Sequence, residues 1–585
     1  MDGGRYPIKR ALGDPVVVEA DVFTDGHDAV VAELLFKFEK DKDWKAVPMD
    51  FRYNDHWVAS FRVEKLGRYQ YTVRGWTDPF RTWQRDLVKR REAKQDLTVD
   101  LQIGSQLLGS PIDDYDQAIK IEPPPPAEHS IAAYEKTLEV VVDPVRARFS
   151  AWYEMFPRSF GGLRGMVQVL PYVERLGFDI LYLPPIHPVG TTARKGKNNA
   201  VSAQPGDLGS PWAIGASEGG HKAVNPELGT LADFDALVKK ASEKNIQIAL
   251  DIAFQCSPDH PYVKEHPEWF RARPDGTIQY AENPPKKYQD IYPFDFESAD
   301  YLGLWNELKS VFEFWIGHGV KVFRVDNPHT KSFAFWEWCI RELKAKHPEL
   351  IFLSEAFTRP RVMHRLAKLG FTQSYTYFTW RNSKQELTEY FQEVCTSPSR
   401  EYFRPNFWPN TPDILHETLQ HGGRPAFIVR AVLAATAAAN WGIYGPAYEL
   451  QERAPREPGS EEYLNSEKYE LKKWDLARAD SLAPLISRLN AIRRENPALQ
   501  SDWSLKVHSI DNAQLLAYSK TEGANEILVI VNLDVHSPQS GWIAFGNCEV
   551  HDLLSGGRYT WSGSHNFVEL SPHTLPAHVF KVRRA

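Results

Sequence analysis

Hydrophobic and polar positions change period twice along this chain. From Val16 to about Val73 apolar and polar residues alternate, as in Val30–Phe38 and Tyr69–Val73, between clusters of turn residues; this predicts a small β-sandwich. From Phe149 to about Asn496 short apolar runs alternate with helix-period stretches. Asp179–Leu183, Ile246–Leu250, Lys321–Val325 and Leu350–Leu353 read as strands, and Leu231–Ser242 and Leu302–His318 as helices. Strand and helix in strict repetition predict a parallel (β/α)8 TIM barrel. Beyond Pro497 β character returns in Glu526–Asn532, Gly556–Trp561 and His578–Val582. The stretch after Gln106 is polar and ends in Pro123–Pro126, which continues neither a helix nor an inner strand. The expected architecture is therefore α/β: an N-terminal β-sandwich over 1–105, a linker or insert over 106–145, a barrel with inserted loops over 146–496, and a C-terminal β-sandwich over 497–585.

Composition narrows the function classes. The 585 residues are 42% apolar and 25% charged, enough for several buried cores. A net charge of -7 over that length gives no attractive field for polyanions, which argues against nucleic-acid binding. The segment Met1–Arg10 lacks the apolar core of a secretory signal and no 18-residue apolar stretch occurs, so a cytoplasmic location without membrane contact is expected. Cys256, Cys339, Cys395 and Cys548 are scattered, which predicts reduced thiols and neither a disulfide framework nor a metal site.

Three segments carry the candidate chemistry. Phe323-Arg-Val-Asp-Asn327, Leu353-Ser-Glu-Ala356 and Asn410-Thr-Pro-Asp413 each place an acid at or near the end of an apolar run. On barrel strands those ends face the shared mouth, so Asp326, Glu355 and Asp413 are expected to converge. Chemistry at an anomeric carbon uses such a set, with one carboxylate attacking, one acid protonating the leaving oxygen and a further acid holding the sugar. Arg324 stands two positions before Asp326, on the same face of an extended strand, where its guanidinium keeps the carboxylate ionised and aimed. Asn283-Pro-Pro-Lys-Lys-Tyr288 offers two ammonium groups, an amide and a phenol on a proline-stiffened loop suited to surrounding an anion.

The order of Asp251–Cys256, Phe323–Asp326, Glu355 and Asn410–Asp413 resembles the four sequence regions of the α-amylase superfamily of glycoside hydrolases. Two departures are informative: Gln255-Cys256 stands where that superfamily usually carries Asn-His, and Pro412 stands in place of a His before Asp413. Longer strings, among them Ala151–Arg158, Arg194–Asn199, Gln255–Pro261, Ala281–Asp290 and Arg324–Lys331, resemble one branch, the α-1,4-glucan:maltose-1-phosphate maltosyltransferases.

This resemblance implies Asp326 as nucleophile, Glu355 as general acid/base, Asp413 as transition-state stabiliser and Arg324 as strand partner of the nucleophile. It implies Asn283, Lys286, Tyr288 and Asn327 at the phosphate. Lys195, Gln255 and Asp290 would hold donor hydroxyls, with Lys468 and Tyr469 at the distal donor subsite. The implied partners are an α-maltose 1-phosphate donor and an α-1,4-glucan acceptor, without cofactor, in a homodimer. Competing readings are an α-glucan hydrolase or 4-α-glucanotransferase with unphosphorylated donors, a sucrose- or trehalose-type phosphorylase, and a non-catalytic glucan binder.

Overall fold

The computed structural model describes residues 1–396 and 398–584. They form two compact units, Met1–Asp143 and Pro144–Ala585. In the first, Leu138–Asp143 lies parallel to Ile8–Ala11 and antiparallel to Gly67–Thr77, which also pairs Val30–Phe38. A second sheet sets Pro15–Asp21 and Asp50–Tyr53 on either side of His56–Arg62. Alternation buries Val16, Leu34, Phe61 and Val140 in one core.

Two features of this unit correct the sequence reading. The sandwich does not close near residue 105, because an interior strand comes from Leu138–Asp143, inside the segment expected to be a linker. Its Val-rich run is strand-like, and the prolines at 123–126 masked it. Secondly, helices Pro79–Glu92 and Thr98–Leu108 interrupt the strands and pack Phe80, Trp83, Leu87 and Leu97 into a separate small core. Asp78 caps the first helix by accepting from the Arg81 N–H at 2.9 Å, with Pro79 at the first helical position.

The second unit contains the expected barrel. Its strands in chain order are Ser150–Glu154, Ile180–Leu183, Gln247–Ile252, Val322–Val325, Ile351–Ser354, Gln373–Ser374, Asn406–Phe407 and Asn440–Tyr444, all parallel. The eighth pairs with the first, and Ser374 bridges to Pro405 to link the sixth to the seventh. A helix follows every strand, from Gly162–Leu176 to Ala483–Glu495.

The sixth and seventh strands are two residues long, and the first residue of each serves a buried polar network. The Gln373 amide donates to Asn440 Oδ1 (3.1 Å) and Ser150 Oγ (3.2 Å), and Asn406 donates to Gln373 Oε1 (2.9 Å). These contacts tie the strand starts together at the end of the barrel opposite the mouth.

The C-terminal part of this unit is a six-stranded antiparallel sheet beside the two-stranded ribbon Gln539–Ala544 and His565–Leu570. Leu515, Leu528, Ile530, Ile543, Val568 and Phe580 fill its core. It is fastened to the barrel by polar contacts: Thr436 Oγ1 to the Tyr518 hydroxyl at 2.5 Å, and the Lys384 ammonium to the carbonyls of Ile510 (3.0 Å) and Asn512 (2.8 Å). Among the described residues no helix is long and apolar enough to cross a membrane.

Candidate active site

The site is organised around one guanidinium. Arg324 lies inside the fourth barrel strand, opposite Asp251 of the third in register. Its Nη1 donates to Asp251 Oδ2 at 2.8 Å and to Asp326 Oδ1 at 2.9 Å, while Nη2 pairs with Glu355 Oε1 at 2.7 Å. Tyr182 and Tyr375 flank the cation, 5.6 and 5.7 Å from ring centroid to guanidinium carbon, and the Tyr182 hydroxyl donates to Asp251 at 2.5 Å. Asp326 and Glu355 each follow the last residue of a strand, which is why strand polarity delivers both to the mouth. One planar fork thereby fixes the distance between them.

The shared cation does not affect its partners equally. Burial would raise Asp326, but Arg324, Lys331 and the Asn327 amide together hold it below the ordinary carboxylate value. Glu355 rises to about 8, through burial first and then repulsion from Asp326, Asp413 and Asp251, which outweigh Arg324. Asp251 rises to about 7, mainly by burial. At neutral pH the arrangement therefore holds one carboxylate ionised and one carboxylic acid protonated, side by side.

Asn327 adopts a left-handed backbone with φ 43°, a conformation asparagine tolerates better than most residues. The turn aims its N–H at Glu355 Oε2 and its side-chain amide at Asp326 Oδ2, both at 3.3 Å.

Above these groups opens a cavity of about 830 Å³. Eleven of the thirteen sequence-predicted residues line it: Asp326, Glu355, Asp413, Asn327, Lys195, Gln255, Asn283, Tyr288, Asp290, Lys468 and Tyr469. Arg324 lies buried beneath. Lys286 is the exception: it sits exposed on the hairpin Ala281–Asn283/Lys286–Tyr288, paired with Asn283 in register but outside the lining. Asp290 is buried with Oδ1 lacking any protein partner. Asp413 lies in the turn closed by Thr411 and Ile414 and ion-pairs with Lys468, which packs over Trp212 at 4.7 Å.

Several residues of the site escaped sequence reasoning. Lys331, from the turn after Asp326, donates to the carbonyls of Asn327 (3.2 Å) and Asp326 (3.4 Å) and lines the cavity. Asp251 opens the first characteristic segment, yet nothing in its spacing announces a bond to a residue 73 positions away. Trp212 and Glu462 come from long irregular loops without a periodic signal.

His221, Cys256 and His260 bring ligand atoms within 4.8 Å of one another, a grouping of metal-ligand type. Their hydrogen bonds do not suit a cation. The Tyr262 N–H donates to His260 Nδ1, so His260 Nε2 carries the proton and gives it to His221 Nδ1, while His221 Nε2 donates to the Ala253 carbonyl. Burial lowers both imidazoles to about 3 and pushes the Cys256 thiol far up, and the chain of hydrogen bonds from Tyr262 through His260 and His221 to Ala253 braces the loop bearing Gln255.

Residues 1–153 match the family model "Alpha-1,4-glucan:maltose-1-phosphate maltosyltransferase, domain N/S", residues 152–305 the α-amylase catalytic domain, and residues 507–582 the model "GLGE, C-terminal". A protein of Chlorobaculum tepidum named alpha-1,4-glucan:maltose-1-phosphate maltosyltransferase is 50% identical over 636 aligned positions, covering 100% of this chain and 95% of its own length. The chain belongs to the α-1,4-glucan:maltose-1-phosphate maltosyltransferases. Another member, from Myxococcus xanthus, is 47% identical over 100% of this chain and 96% of its own. This maltosyltransferase also matches a solved α-amylase from Lactobacillus plantarum, with TM-score 0.60 at 20% identity over 75% of this chain and 100% of that one, a likeness of fold.

Proposed function

We propose that the enzyme moves a maltosyl unit from α-maltose 1-phosphate to the non-reducing end of an α-1,4-glucan in two displacements, with Asp326 and Glu355 as the reacting pair. The observation that carries this reading is the single guanidinium shared by a lowered Asp326 and a raised Glu355. Asp326 attacks the anomeric carbon, the bond to the phosphate oxygen breaks, and Glu355 gives that oxygen its proton. A β-maltosyl ester on Asp326 results. Glu355, now ionised, takes the proton of the acceptor 4-hydroxyl as that oxygen attacks, which restores the α configuration and frees Asp326. Asp413 holds the donor sugar while positive charge develops, and Lys468 keeps it oriented.

The phosphate is assigned to Asn283, Tyr288 and Asn327, with Lys286 joining once the donor is bound. Lys286 shares a hairpin face with Asn283 and Tyr288, which supports this role for a side chain outside the lining. Lys195, Gln255 and Asp290 take donor hydroxyls; the unpartnered Asp290 Oδ1 is suited to accepting one. Lys468 and Tyr469 form the distal donor subsite.

Working in the cytoplasm fits four buried free thiols. A homodimer is supported by helix Thr98–Leu108, whose Val99, Ile103 and Leu107 recur every fourth residue as an exposed apolar stripe. Incubation with α-maltose 1-phosphate and maltohexaose tests the reaction: products must lengthen by a maltosyl unit with one phosphate released per transfer, and Asp326→Ala must lose both. Phosphate release without lengthening would sink the transferase reading.

A further inference from the structure

The ribbon Gln539–Ala544/His565–Leu570 of the C-terminal sheet presents an aromatic pair to solvent. Trp542 and Phe567 face each other across the strands, their rings 5.6 Å apart and edge-on, and each is 51% exposed. Alternation explains how they reach the outside: their neighbours Gly541, Ile543, Asn566 and Val568 are buried. Core packing therefore does not account for two large rings on this face. Along the same outward face the ribbon carries Ser540 opposite Glu569 and Ala544 opposite His565, so polar groups flank the rings at both ends.

The backing of this pair is rigid and reaches the barrel mouth. Asp511 Oδ1 accepts the Trp542 N–H at 2.6 Å, and Asn512 donates to Gln539 Oε1 and the Ser540 carbonyl, both at 2.9 Å. The 510–512 turn is in turn held by Lys384, at 3.0 Å to Ile510 and 2.8 Å to Asn512. Lys384 opens the helix that follows the sixth barrel strand. A barrel helix starts on the side where its preceding strand ends, so Lys384 stands at the level of the catalytic mouth. The aromatic pair is thus moored, through the 510–512 turn, to the rim of the barrel mouth.

We infer that Trp542 and Phe567 form a glucan-holding platform outside the active site, on which glucose rings of a long α-1,4-glucan acceptor stack while its non-reducing end lies in the cavity. The chemistry of the occupant follows from the surface. A glucose ring offers an apolar C–H face bordered by hydroxyls, matching two exposed rings bordered by Ser540, Glu569 and His565. This rests on the glucan-acceptor reading given above. The platform raises the local concentration of polymer ends near the mouth without touching the reacting atoms.

The test is affinity electrophoresis of the full-length protein in gels containing glycogen, alongside kinetics with glycogen and with maltotetraose. The double variant Trp542→Ala/Phe567→Ala should be retarded about tenfold less strongly and show a similar rise in KM for glycogen, because it loses both stacking rings. Its kcat/KM for maltotetraose should stay within about twofold of the parent. Trp542→Phe should keep most of the retardation, which separates loss of stacking from loss of folding. Parental retardation and glycogen KM in the double variant would overturn the platform. A halved particle mass by light scattering, with glycogen use unchanged, would instead assign the pair to contact with a second copy. Failure of every form, parent included, to release phosphate with maltotetraose would defeat the transferase reading and leave the retardation result to judge the platform separately.

Discussion

Replacing Glu355 by Gln should cripple turnover and, at alkaline pH, stabilise the fold. Glu355 is buried, and its carboxyl is raised from the ordinary 4.5 to about 8 by burial and by repulsion from Asp326, Asp413 and Asp251. A raised folded value means that the native state keeps a proton which the unfolded chain releases above about 4.5. Stability from this group is therefore complete below that pH and is lost as pH climbs to about 8. A displacement of this size is worth up to ~5 kcal/mol at pH 9. Asp251, raised to about 7, draws on the same Arg324 and shares the effect, so the expected gain for Glu355→Gln at pH 9 is ~2–3 kcal/mol. Near pH 5 the parent carries a neutral carboxylic acid of the same shape as the amide, and the two proteins should unfold together. Turnover should fall ~10²–10⁴-fold at every pH, since proton transfer in both displacements is gone. Paired thermal unfolding scans at pH 5 and pH 9, with phosphate-release assays, check both outcomes. A constant stability difference between the two pH values, or one that favours the parent at pH 9, would refute the account of why Glu355 is protonated.

Removing the guanidinium with Arg324→Met should destabilise the barrel by ~3–5 kcal/mol, as expected when one partner of a buried ionic cluster is lost. Its residual activity should show an acid limb displaced to higher pH, because Arg324 is the main group that opposes burial in keeping Asp326 ionised; a pH–rate profile reads this directly. Lys286→Ala should lower kcat/KM for the phosphorylated donor ~10–100-fold, the worth of one charge-assisted bond, while glucan binding stays at parental strength in titration calorimetry. Ile103→Asp should convert a dimer to a monomer in light scattering, by placing a charge in the exposed stripe of helix Thr98–Leu108.

The barrel was legible because four of its strands, Ile180–Leu183, Gln247–Ile252, Val322–Val325 and Ile351–Ser354, are almost wholly buried apolar runs with helices between them. The sixth and seventh strands gave no such signal, since Gln373 and Asn406 are spent on the polar network that joins the strand starts. Carboxylates at strand ends were likewise readable, because strand polarity alone dictates where they go. Partners borne on loops were not: Asp413 meets Lys468 across 55 positions and Asn199 meets Glu462 across 263, distances set by two irregular segments with no period. The pairing of Leu138–Asp143 with Ile8–Ala11 was hidden for the same reason, since a parallel partner distant in sequence leaves no local trace.

That division between strand and loop also separates chemistry from specificity. The groups proposed to make and break bonds sit on or just beyond rigid strands, each within hydrogen-bonding distance of the one cation Arg324. The groups proposed to choose a phosphorylated disaccharide sit on the 281–288 hairpin and the 451–482 segment, where insertion and substitution leave the barrel core untouched. The 451–482 segment is tied to the barrel, as by the Tyr444 hydroxyl on Glu467 at 2.5 Å, and also to the loop that carries Lys195. The Asn198 N–H donates to Glu470 at 2.9 Å, the Asn465 N–H donates to Asn198 Oδ1 at 3.1 Å, and Asn199 reaches Glu462 at 3.2 Å. Asn198, Asn199 and Asn465 all hold positive φ, a backbone that asparagine accepts at little cost. A change at this clasp should therefore weaken donor binding while sparing the Arg324 cluster, since the cavity wall carrying Lys195, Lys468 and Tyr469 depends on it and the strand ends do not.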